Sequence, residues 1–342
     1  MTRGAKERGG VEPSRVFLEL LTKNESFLIL GHQHPDGDAL GSAAALAAVL
    51  RAMGKNAEVG ISGRITPNIT FLMDPPKYFT MVTDMDFRYL KSFELIIYVD
   101  CHGPSRVWPD SDPDLWSELP PNLVIDHHIH NEELQGALAV YHDRHASSTG
   151  ELIMRLLRGL EVKPASKAVE AILTAIVSDT GFFTQDNTTP LTLREAAELV
   201  EHGGKLARLH EALNCGHSIA RMRLLSKALG SLELFLEGKV AVMLLSSAML
   251  EEAGARMEEA DGFIEYPRSI SGVLLSALIK EDMLGGIKVS LRSKPPVCAR
   301  MIAQRFGGGG HDLAAAYTDH VENIEHARDR FLEVAAQYML GD

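Results

Sequence analysis

Two aspartates stand two residues apart on a turn between an apolar run and an alanine-rich segment. They are Asp36 and Asp38 of the stretch Gly31–Ser42, and His32 lies four residues before the first of them. Carboxylates this close repel each other unless a cation lies between them. Their spacing therefore predicts a site for one or two divalent metal ions.

Three other segments carry metal-binding side chains just after a regular, apolar pattern. They are Asp100 after Leu95–Val99, Asp126, His127 and His128 after Leu123–Ile125, and Asp179 after Ser166–Ser178. In an open parallel sheet, ligands bind outside the carboxyl ends of the strands. The side chains that follow the predicted strands are expected to converge at this edge of the sheet. Asp179, at the end of the helical pattern, can reach them there. Mixed carboxylate and imidazole ligands favour Mn²⁺, Fe²⁺, Co²⁺ or Mg²⁺ over a thiolate zinc site.

This set of ligands suits two ions. Asp36 and Asp38 can each face a different ion, and Asp100 is the natural bridge between them. Two ions about 3.5–4 Å apart clamp a phosphoryl group for in-line displacement and lower the pKa of a bridging water. Taken singly, an aspartate after a strand is more often a turn or helix cap, and Asp38 could cap the next helix. Four such segments in one domain favour the metal site.

A second signal is Gly307–Gly310 followed by His311. A helix is expected to start over Asp312–Ala316, so that the glycine N–H groups form an anion cradle at its N-terminus and His311 donates to a phosphate. Residues 283–311 contain no Asp or Glu but several cations, of which Arg292 is the best candidate for a phosphate fork. The alternative, a flexible glycine linker, is disfavoured because an apolar alanine segment follows at once.

The elements that must position these groups alternate between strand-like and helix-like patterns, which predicts a parallel α/β sheet. Predicted strands are Phe27–Leu30, Ala57–Ile61, Leu95–Val99 and Leu123–Ile125; predicted helices are Ser42–Met53, Gly150–Leu160 and Ser166–Ser178.

Helical patterns over Leu191–His202 and Leu206–Gly230 predict a connector to a second, smaller α/β domain. Its predicted strands and closing helix are Glu233–Glu237, Lys239–Leu245, Gly272–Leu278, Ile287–Leu291 and Val321–Leu340. The predicted domain bounds are 1–190, 191–228 and 229–342.

Composition limits the class of function. The 342 residues carry 34 Lys and Arg against 46 Asp and Glu, a net charge of −12. This disfavours a protein that grips long nucleic acid, which needs a broad basic surface, but allows a small phosphate ligand. Three cysteines without a C-x-x-C pair indicate free thiols rather than structural zinc or disulfides. The N-terminal segment Met1–Gly10 is short and basic, and no stretch approaches the roughly 20 apolar residues that span a membrane. These two features predict a soluble cytoplasmic protein.

With these motifs the chain resembles the DHH phosphoesterase superfamily. The motifs HxxPDGDALGS, VD, DHH, SDTGFF, SxRS and GGGGH occur in that order. Their order is similar to the DHH–DHHA1 arrangement, in particular to the small bacterial bifunctional oligoribonucleases and phosphoadenosine-phosphate phosphatases (nano-RNase type). The resemblance implies an N-terminal parallel-sheet DHH domain and a smaller C-terminal α/β DHHA1 domain, with the active site in the cleft between them.

The resemblance also implies a role for each site residue. One ion is held by His32, Asp36 and Asp100, and the other by Asp38, Asp100, His127 and Asp179. His128 contacts the scissile phosphate or assists proton transfer, and Asp126 orients the imidazoles. The non-scissile phosphate or terminal nucleotide is bound across the cleft by Arg292, Gly308, Gly309, Gly310 and His311. The segment Ala146–Leu152 also matches the family, without an assigned chemistry.

The implied activity is hydrolysis of short oligoribonucleotides or linear dinucleotides to 5′-mononucleotides, and of phosphoadenosine phosphate, with two divalent ions of which Mn²⁺ is favoured. A cyclic dinucleotide phosphodiesterase, an inorganic pyrophosphatase of the same superfamily and a non-catalytic nucleotide sensor are the alternatives. Family members are often dimers, so the resemblance alone suggests a homodimer. Two positions depart from the family pattern. His34 replaces a common Asn and is either neutral or a spare ligand, and Ala316 replaces a common glycine.

Overall fold

The computed structural model describes residues 10–109, 111–128, 136–281 and 286–340. The basic N-terminal segment lies outside these residues except for Gly10. The chain divides into two compact units, Met1–Gly216 and His217–Asp342. The bounds expected from sequence, 1–190, 191–228 and 229–342, stay a prediction.

Six strands of the described part of the first unit form one parallel sheet, as predicted. Its order is β3-β2-β1-β4-β5-β6. The strands are β1 (Ser26–Leu30), β2 (Asn56–Ile61), β3 (Phe79–Met81), β4 (Leu95–Val99), β5 (Asn122–Asp126) and β6 (Ala139–His142). The chain order reverses between β1 and β4. In folds of this order, that is where the crevice at the carboxyl ends of the strands binds ligands.

Both faces of this sheet are covered. Side chains of β1 alternate: Phe27 and Ile29 belong to one buried cluster, and Leu28 and Leu30 to another. The helices of this unit are α1 (Arg15–Lys23), α2 (Gly37–Ala52), α3 (Phe87–Leu90), α4 (Pro104–Val107), α5 (Thr149–Gly159), α6 (Ser166–Asp179), α7 (Pro190–Glu201) and α8 (Leu206–Asn214). Short 3₁₀ helices cover Pro67–Met73, Pro76–Tyr78, Val82–Asp84 and Pro113–Glu118.

The single helix expected over Leu206–Gly230 is wrong. The chain forms two helices there, α8 and then α9 (Ile219–Gly230). Between them Gly216 has φ +79°, a left-handed conformation that glycine adopts without strain and that ends a helix.

The second unit contains a mixed six-stranded sheet of the order β11-β12-β10-β9-β8-β7 among its described residues. The strands are β7 (Glu233–Phe235), β8 (Val240–Leu245), β9 (Leu275–Glu281), β10 (Ile287–Ser293), β11 (Gly309–Gly310) and β12 (Ala314–Asp319). Its helices are α9 together with α10 (Ser247–Ala253), α11 (Glu265–Arg268), α12 (Ala299–Gln304) and α13 (Ile324–Leu340), and a 3₁₀ turn covers Met257–Ala260. Only β8 and β9 run parallel in this described sheet; its other neighbours are antiparallel.

The helix start expected over Asp312–Ala316 is also wrong. Ala314–Asp319 is strand β12, paired antiparallel with β10 on one side and with the two glycines of β11 on the other. Alanine favours helix locally, but pairing on both sides overrides this weak preference. The glycine run therefore forms a sheet edge and not a cradle at a helix N-terminus, and Ala316 lies within a strand.

Gly308 provides a test of this arrangement. A Cβ at Gly308 would lie 2.3 Å from the carbonyl oxygen of Ala316 and 2.4 Å from the Cβ of Tyr317, whereas a Cβ at Gly309 meets nothing within 4 Å. Gly308→Ala is therefore expected to destabilise the β11–β12 pairing by about 1–3 kcal/mol, and Gly309→Ala is the matched control. Hydrogen-exchange mass spectrometry of peptides spanning β12 measures this directly. Equal protection in both variants would contradict the pairing.

Candidate metal centre

The turn after β1 carries two aspartates in different roles. Asp36 is the N-cap of α2, and its Oδ1 accepts the N–H groups of Asp38 and Ala39, each at 3.0 Å. Asp38, in the first turn of α2, is fully buried, and its Oδ1 also accepts the hydroxyl of Ser42 at 3.0 Å. The cap is thus Asp36 and not Asp38, which leaves the buried Asp38 carboxylate facing the end of the sheet.

Close packing of α2 on α6 brings Asp179 to the site. A Cβ at Gly37 would lie 1.8 Å from Ser178 Oγ, and one at Gly41 would lie 2.6 Å from the Ala171 carbonyl. Only glycine allows this approach, and it places Asp179, the last residue of α6, beside the first turn of α2.

Asp100 lies at the centre of the groups that the sequence predicts. It follows β4 with φ +57°, a conformation that aspartate tolerates better than most residues, and its side chain is 2% exposed. Its Oδ2 lies 3.5 Å from His32 Nε2, and its Oδ1 lies 3.5 Å from His127 Nε2. The two oxygens of one carboxylate therefore face different histidines.

The remaining distances complete two clusters. His32 Nε2 lies 3.8 Å from Asp36 Oδ1. His127 Nε2 lies 3.1 Å from Asp179 Oδ2 and 3.7 Å from Asp38 Oδ2. Three groups among the described residues have ligand atoms all within 4.8 Å of one another, namely His32–Asp36–Asp100, Asp38–His127–Asp179 and Asp100–His127–His128. The structure thus brings together all six residues that the sequence predicts as ligands.

The hydrogen bonds of the two histidines fit a cation. Nδ1 of His32 lies 2.9 Å from the Gln33 carbonyl, and Nδ1 of His127 lies 3.3 Å from the Ala146 carbonyl. A carbonyl only accepts, so Nδ1 donates in both rings, and Nε2 of each ring faces the carboxylates, where a bound cation would take its lone pair. Nε2 of His127 is buried and has no hydrogen bond within the described part of the chain. A divalent ion fits this donor set.

The pKa values of the clustered side chains also favour a bound cation. Burial lowers the pKa of His127, but the adjacent carboxylates of Asp100 and Asp179 outweigh it and raise the pKa to about 12. Burial likewise lowers the pKa of His32, but the adjacent carboxylates of Asp100 and Asp36 outweigh it and raise the pKa to about 10. Burial, together with the charges of Asp100 and Asp179, raises the pKa of Asp38. The carboxylates crowd enough negative charge here to draw in protons, and a cation relieves the same repulsion.

Asp126 pairs with His128, a member of the third group. Oδ1 of the buried Asp126 accepts the His128 backbone N–H at 3.1 Å and its Nδ1–H at 2.9 Å. This hydrogen bond raises the pKa of His128. The His128 side chain is 46% exposed, so substrate can reach it, and Asp126 fixes its orientation.

His34 does not belong to any of the three clusters found among the described residues. Its Nδ1 accepts the backbone N–H of Arg64 at 2.9 Å, and its φ is +56°. It lines a cavity of about 350 Å³ whose wall also includes Asp36, Asp179 and Phe182. Phe182 itself has φ +55°, and such left-handed conformations outside glycine concentrate at functional sites.

The predicted phosphate-binding residues lie in the second unit. Arg292 is in β10, and its Nε donates to Glu265 Oε1 at 3.2 Å while one terminal nitrogen donates to the Leu291 carbonyl at 3.1 Å. Gly309, Gly310 and His311 are exposed at the edge formed by β11. The His311 backbone N–H donates to the Ala314 carbonyl at 2.7 Å.

The sequence assigned no chemistry to Ala146–Leu152, although its start touches the cluster. The Thr149 hydroxyl donates to Asp100 Oδ1 at 3.0 Å, and the N–H groups of Thr149 and Gly150 donate to Asp38 at 2.7 and 2.9 Å. The available signal was a run of hydroxyl side chains, Ser147, Ser148 and Thr149, at a helix start.

Comparisons with known proteins identify the family of the chain. Residues 26–178 match the N-terminal domain of the DHH family, and residues 237–339 match the DHHA1 domain. The chain is 31% identical over 335 residues to the bifunctional oligoribonuclease and PAP phosphatase NrnA of Thermus thermophilus, covering 95% of this chain and 94% of that one. The chain belongs to the DHH phosphoesterase family, which confirms the predicted fold class and enzyme class.

Two further comparisons extend this result. The chain is 28% identical over 346 residues to the cyclic-di-AMP phosphodiesterase PdeA of Listeria monocytogenes, and the match covers 96% of this chain but 50% of that protein. The crystal structure of an exopolyphosphatase-related protein from Bacteroides fragilis has the same fold, with a TM-score of 0.85 at 22% identity over 94% of this chain and 95% of that one. None of the helices in the described ranges has the length and apolar character that a membrane crossing requires.

Proposed function

We propose that this protein hydrolyses phosphoester bonds of small nucleotide substrates with two divalent metal ions as cofactors. The observation that carries the proposal is the position of Asp100, a buried carboxylate with one oxygen facing His32 and the other facing His127. One carboxylate placed between two ligand clusters is the arrangement that a two-metal phosphoesterase requires.

In this proposal His32, Asp36 and Asp100 hold one ion. Asp38, Asp100, His127 and Asp179 hold the other, with Asp100 shared. When bound, the two ions neutralise charge on the phosphoryl oxygens and acidify a water for in-line attack. Mn²⁺ is the proposed ion, because a mixed carboxylate and imidazole set suits it, and Mg²⁺, Co²⁺ and Fe²⁺ are the alternatives.

Asp126 and His128 are the proposed catalytic pair. Asp126 holds the imidazole through Nδ1, so Nε2 of His128 is the atom that contacts the scissile phosphate or moves a proton there. In the second unit, Arg292, His311 and the glycines Gly308 to Gly310 are proposed to bind the non-scissile phosphate or terminal nucleotide.

The proposed substrates are short oligoribonucleotides and linear dinucleotides, cleaved to 5′-mononucleotides, and phosphoadenosine phosphate. The similarity to an oligoribonuclease and PAP phosphatase along nearly the full length of both chains supports this choice. The net charge of −12 opposes binding of long nucleic acid. The cavity of about 350 Å³ beside Asp36 and Asp179 has the size of a small-ligand pocket, and Phe182 is one of its lining residues.

A substrate panel tests the proposal. Purified protein with Mn²⁺ is incubated with labelled ribonucleotides of two to five residues, linear and cyclic di-AMP, phosphoadenosine phosphate and pyrophosphate, and products are separated by chromatography. We expect 5′-mononucleotides from the di- to pentanucleotides, phosphate from phosphoadenosine phosphate, and no turnover after chelation. Hydrolysis of pyrophosphate alone would identify a pyrophosphatase, and nucleotide binding without turnover would identify a sensor; either result contradicts the proposal.

Cyclic dinucleotide hydrolysis is the second candidate. It is favoured by the 28% identity to a cyclic-di-AMP phosphodiesterase, although the chain spans only half of that protein. Faster release of linear product from cyclic di-AMP than of AMP from the linear form, in the same panel, would support it over the first.

The proposed setting is the cytoplasm, with a homodimer as the proposed assembly. Light scattering on the purified protein measures its mass against the 37.4 kDa of one chain.

A further inference from the structure

The segment Ala146–Gly150 bonds directly to three of the four ligands of one proposed ion, Asp38, Asp100 and His127, and, among the described residues, to neither His32 nor Asp36. The Ala146 carbonyl accepts from His127 Nδ1 at 3.3 Å. Asn187 Nδ2 donates to the carbonyls of both Ser147 and Asp179 at 3.0 Å, which ties the segment to the last residue of α6. These contacts lie on the side of the centre formed by Asp38, His127 and Asp179.

Thr149 makes the two contacts with the carboxylates from one position. Its backbone N–H donates to Asp38 Oδ2 at 2.7 Å, and its hydroxyl donates to Asp100 Oδ1 at 3.0 Å. The hydroxyl must be the donor, because an ionised carboxylate only accepts. The residue is fully buried, so no water competes for either contact.

The contact of the hydroxyl with Asp100 is specific to one oxygen. Oδ1 faces His127 and also lies 3.5 Å from His128 Nδ1, whereas Oδ2 faces His32. The hydroxyl bonds to Oδ1, the oxygen on the side of His127, so its loss removes a hydrogen-bond donor from that oxygen and not from Oδ2. Asp38 is held independently by the N–H groups of Thr149 and Gly150, which no side-chain substitution removes.

Hydrogen bonds to Glu151 fix the chain next to Thr149. The buried Glu151 accepts at Oε2 from the Ser147 N–H at 3.1 Å, the Ser147 hydroxyl at 2.7 Å and the Thr192 hydroxyl at 2.9 Å. Its other oxygen pairs with the buried Arg155. The start of α5 is therefore rigid enough to orient the side chains that it contacts.

We infer that Thr149 is a positioning residue: its hydroxyl sets the orientation of Asp100 for the ion held with Asp38, His127 and Asp179, and not for the ion held with His32 and Asp36. The inference rests on the proposed two-metal function. The alternative is that the hydroxyl only satisfies a buried helix start and has no selective effect on either ion.

Thr149→Val tests this inference, since valine keeps the shape and the backbone N–H but removes the hydroxyl. Thr149→Ser restores the hydroxyl. Thr174→Val is the matched control, because Thr174 is a fully buried threonine on α6 whose hydroxyl donates to the Glu170 carbonyl within its own helix. Mn²⁺ binding to the apoprotein is measured by calorimetry, and the electron paramagnetic resonance spectrum separates paired from isolated Mn²⁺.

We expect wild type, Thr149→Ser and Thr174→Val to bind two ions and show the spectrum of a coupled pair. Thr149→Val is expected to keep one ion at wild-type affinity and to bind the other about 10–100-fold more weakly. When one further equivalent of Mn²⁺ is added after the first site is filled, the spectrum of isolated ions should therefore dominate. Its kcat is expected to recover at saturating Mn²⁺ with KM unchanged. If Thr149→Val is unfolded by circular dichroism, the Thr149→Ser and Thr149→Ala pair makes the same comparison.

Two results would overturn the inference. Unchanged binding of both ions by Thr149→Val means that the hydroxyl does not position Asp100, and equal weakening of both ions means that it supports the whole domain. Fewer than two ions bound by the wild type overturns the proposed function itself. The wild-type titration alone decides that point, so the two failures are distinguishable.

Discussion

Asp100→Asn is expected to lower kcat by at least about 1,000-fold, which corresponds to roughly 4 kcal/mol in the activation barrier. Asparagine keeps the shape of the side chain but removes its charge and replaces one of its two acceptor oxygens with a donor. Each oxygen of Asp100 faces a different histidine, so the change removes the ligand oxygen of one proposed ion and takes from both ions the negative charge that they share. The proposed assignment gives no other ligand to both ions.

The measurement pairs the initial rate on a labelled dinucleotide with metal content by mass spectrometry, both in excess Mn²⁺. Asp319→Asn is the matched control, because Asp319 is 5% exposed, lies in the second unit and pairs with Arg330 at 2.6 Å. The control is expected to keep two ions and wild-type kcat. If Asp100→Asn kept more than a tenth of the activity with two ions bound, Asp100 would not be the bridge.

The proximity of the proposed metal ligands could be predicted from sequence because most of them directly follow a regular element. The apolar runs Leu95–Val99 and Leu123–Ile125 read as buried parallel strands, and the polar groups after them must reach the same sheet edge. The packing of α2 on α6, which brings in Asp179, depends on glycines whose close approach no local pattern reveals.

The glycine-rich segment shows where local reasoning fails. The run of alanines at Ala314–Ala316 has high helix propensity, and nothing nearby indicates that it pairs with β10, more than twenty residues earlier in the chain. Tertiary pairing determined the structure there. The contacts of Thr149 were not predicted for a similar reason, because its partners Asp38 and Asp100 lie far from it in sequence. A hydroxyl at a helix start is also usually only a cap.

Asp126→Asn is expected to lower kcat by about 100- to 10,000-fold while both ions stay bound. The carboxylate of Asp126 accepts both the backbone N–H and the Nδ1–H of His128, and it is buried. Asparagine still fits the space, but it loses the charge that favours a donor at Nδ1, so the ring is free to turn or change tautomer. Nε2 would then no longer present the correct state to the scissile phosphate.

A double-mutant cycle makes this prediction specific to the pair. If Asp126 acts through His128, then His128→Asn and the double variant Asp126→Asn/His128→Asn should lose activity by a similar factor, because the second substitution removes an interaction that is already lost. Metal content of all three proteins, measured in parallel, should equal that of the wild type. Additive losses, or loss of an ion in Asp126→Asn, would show that Asp126 supports the ligand clusters directly, since its neighbour His127 lies between Asp38, Asp100 and Asp179.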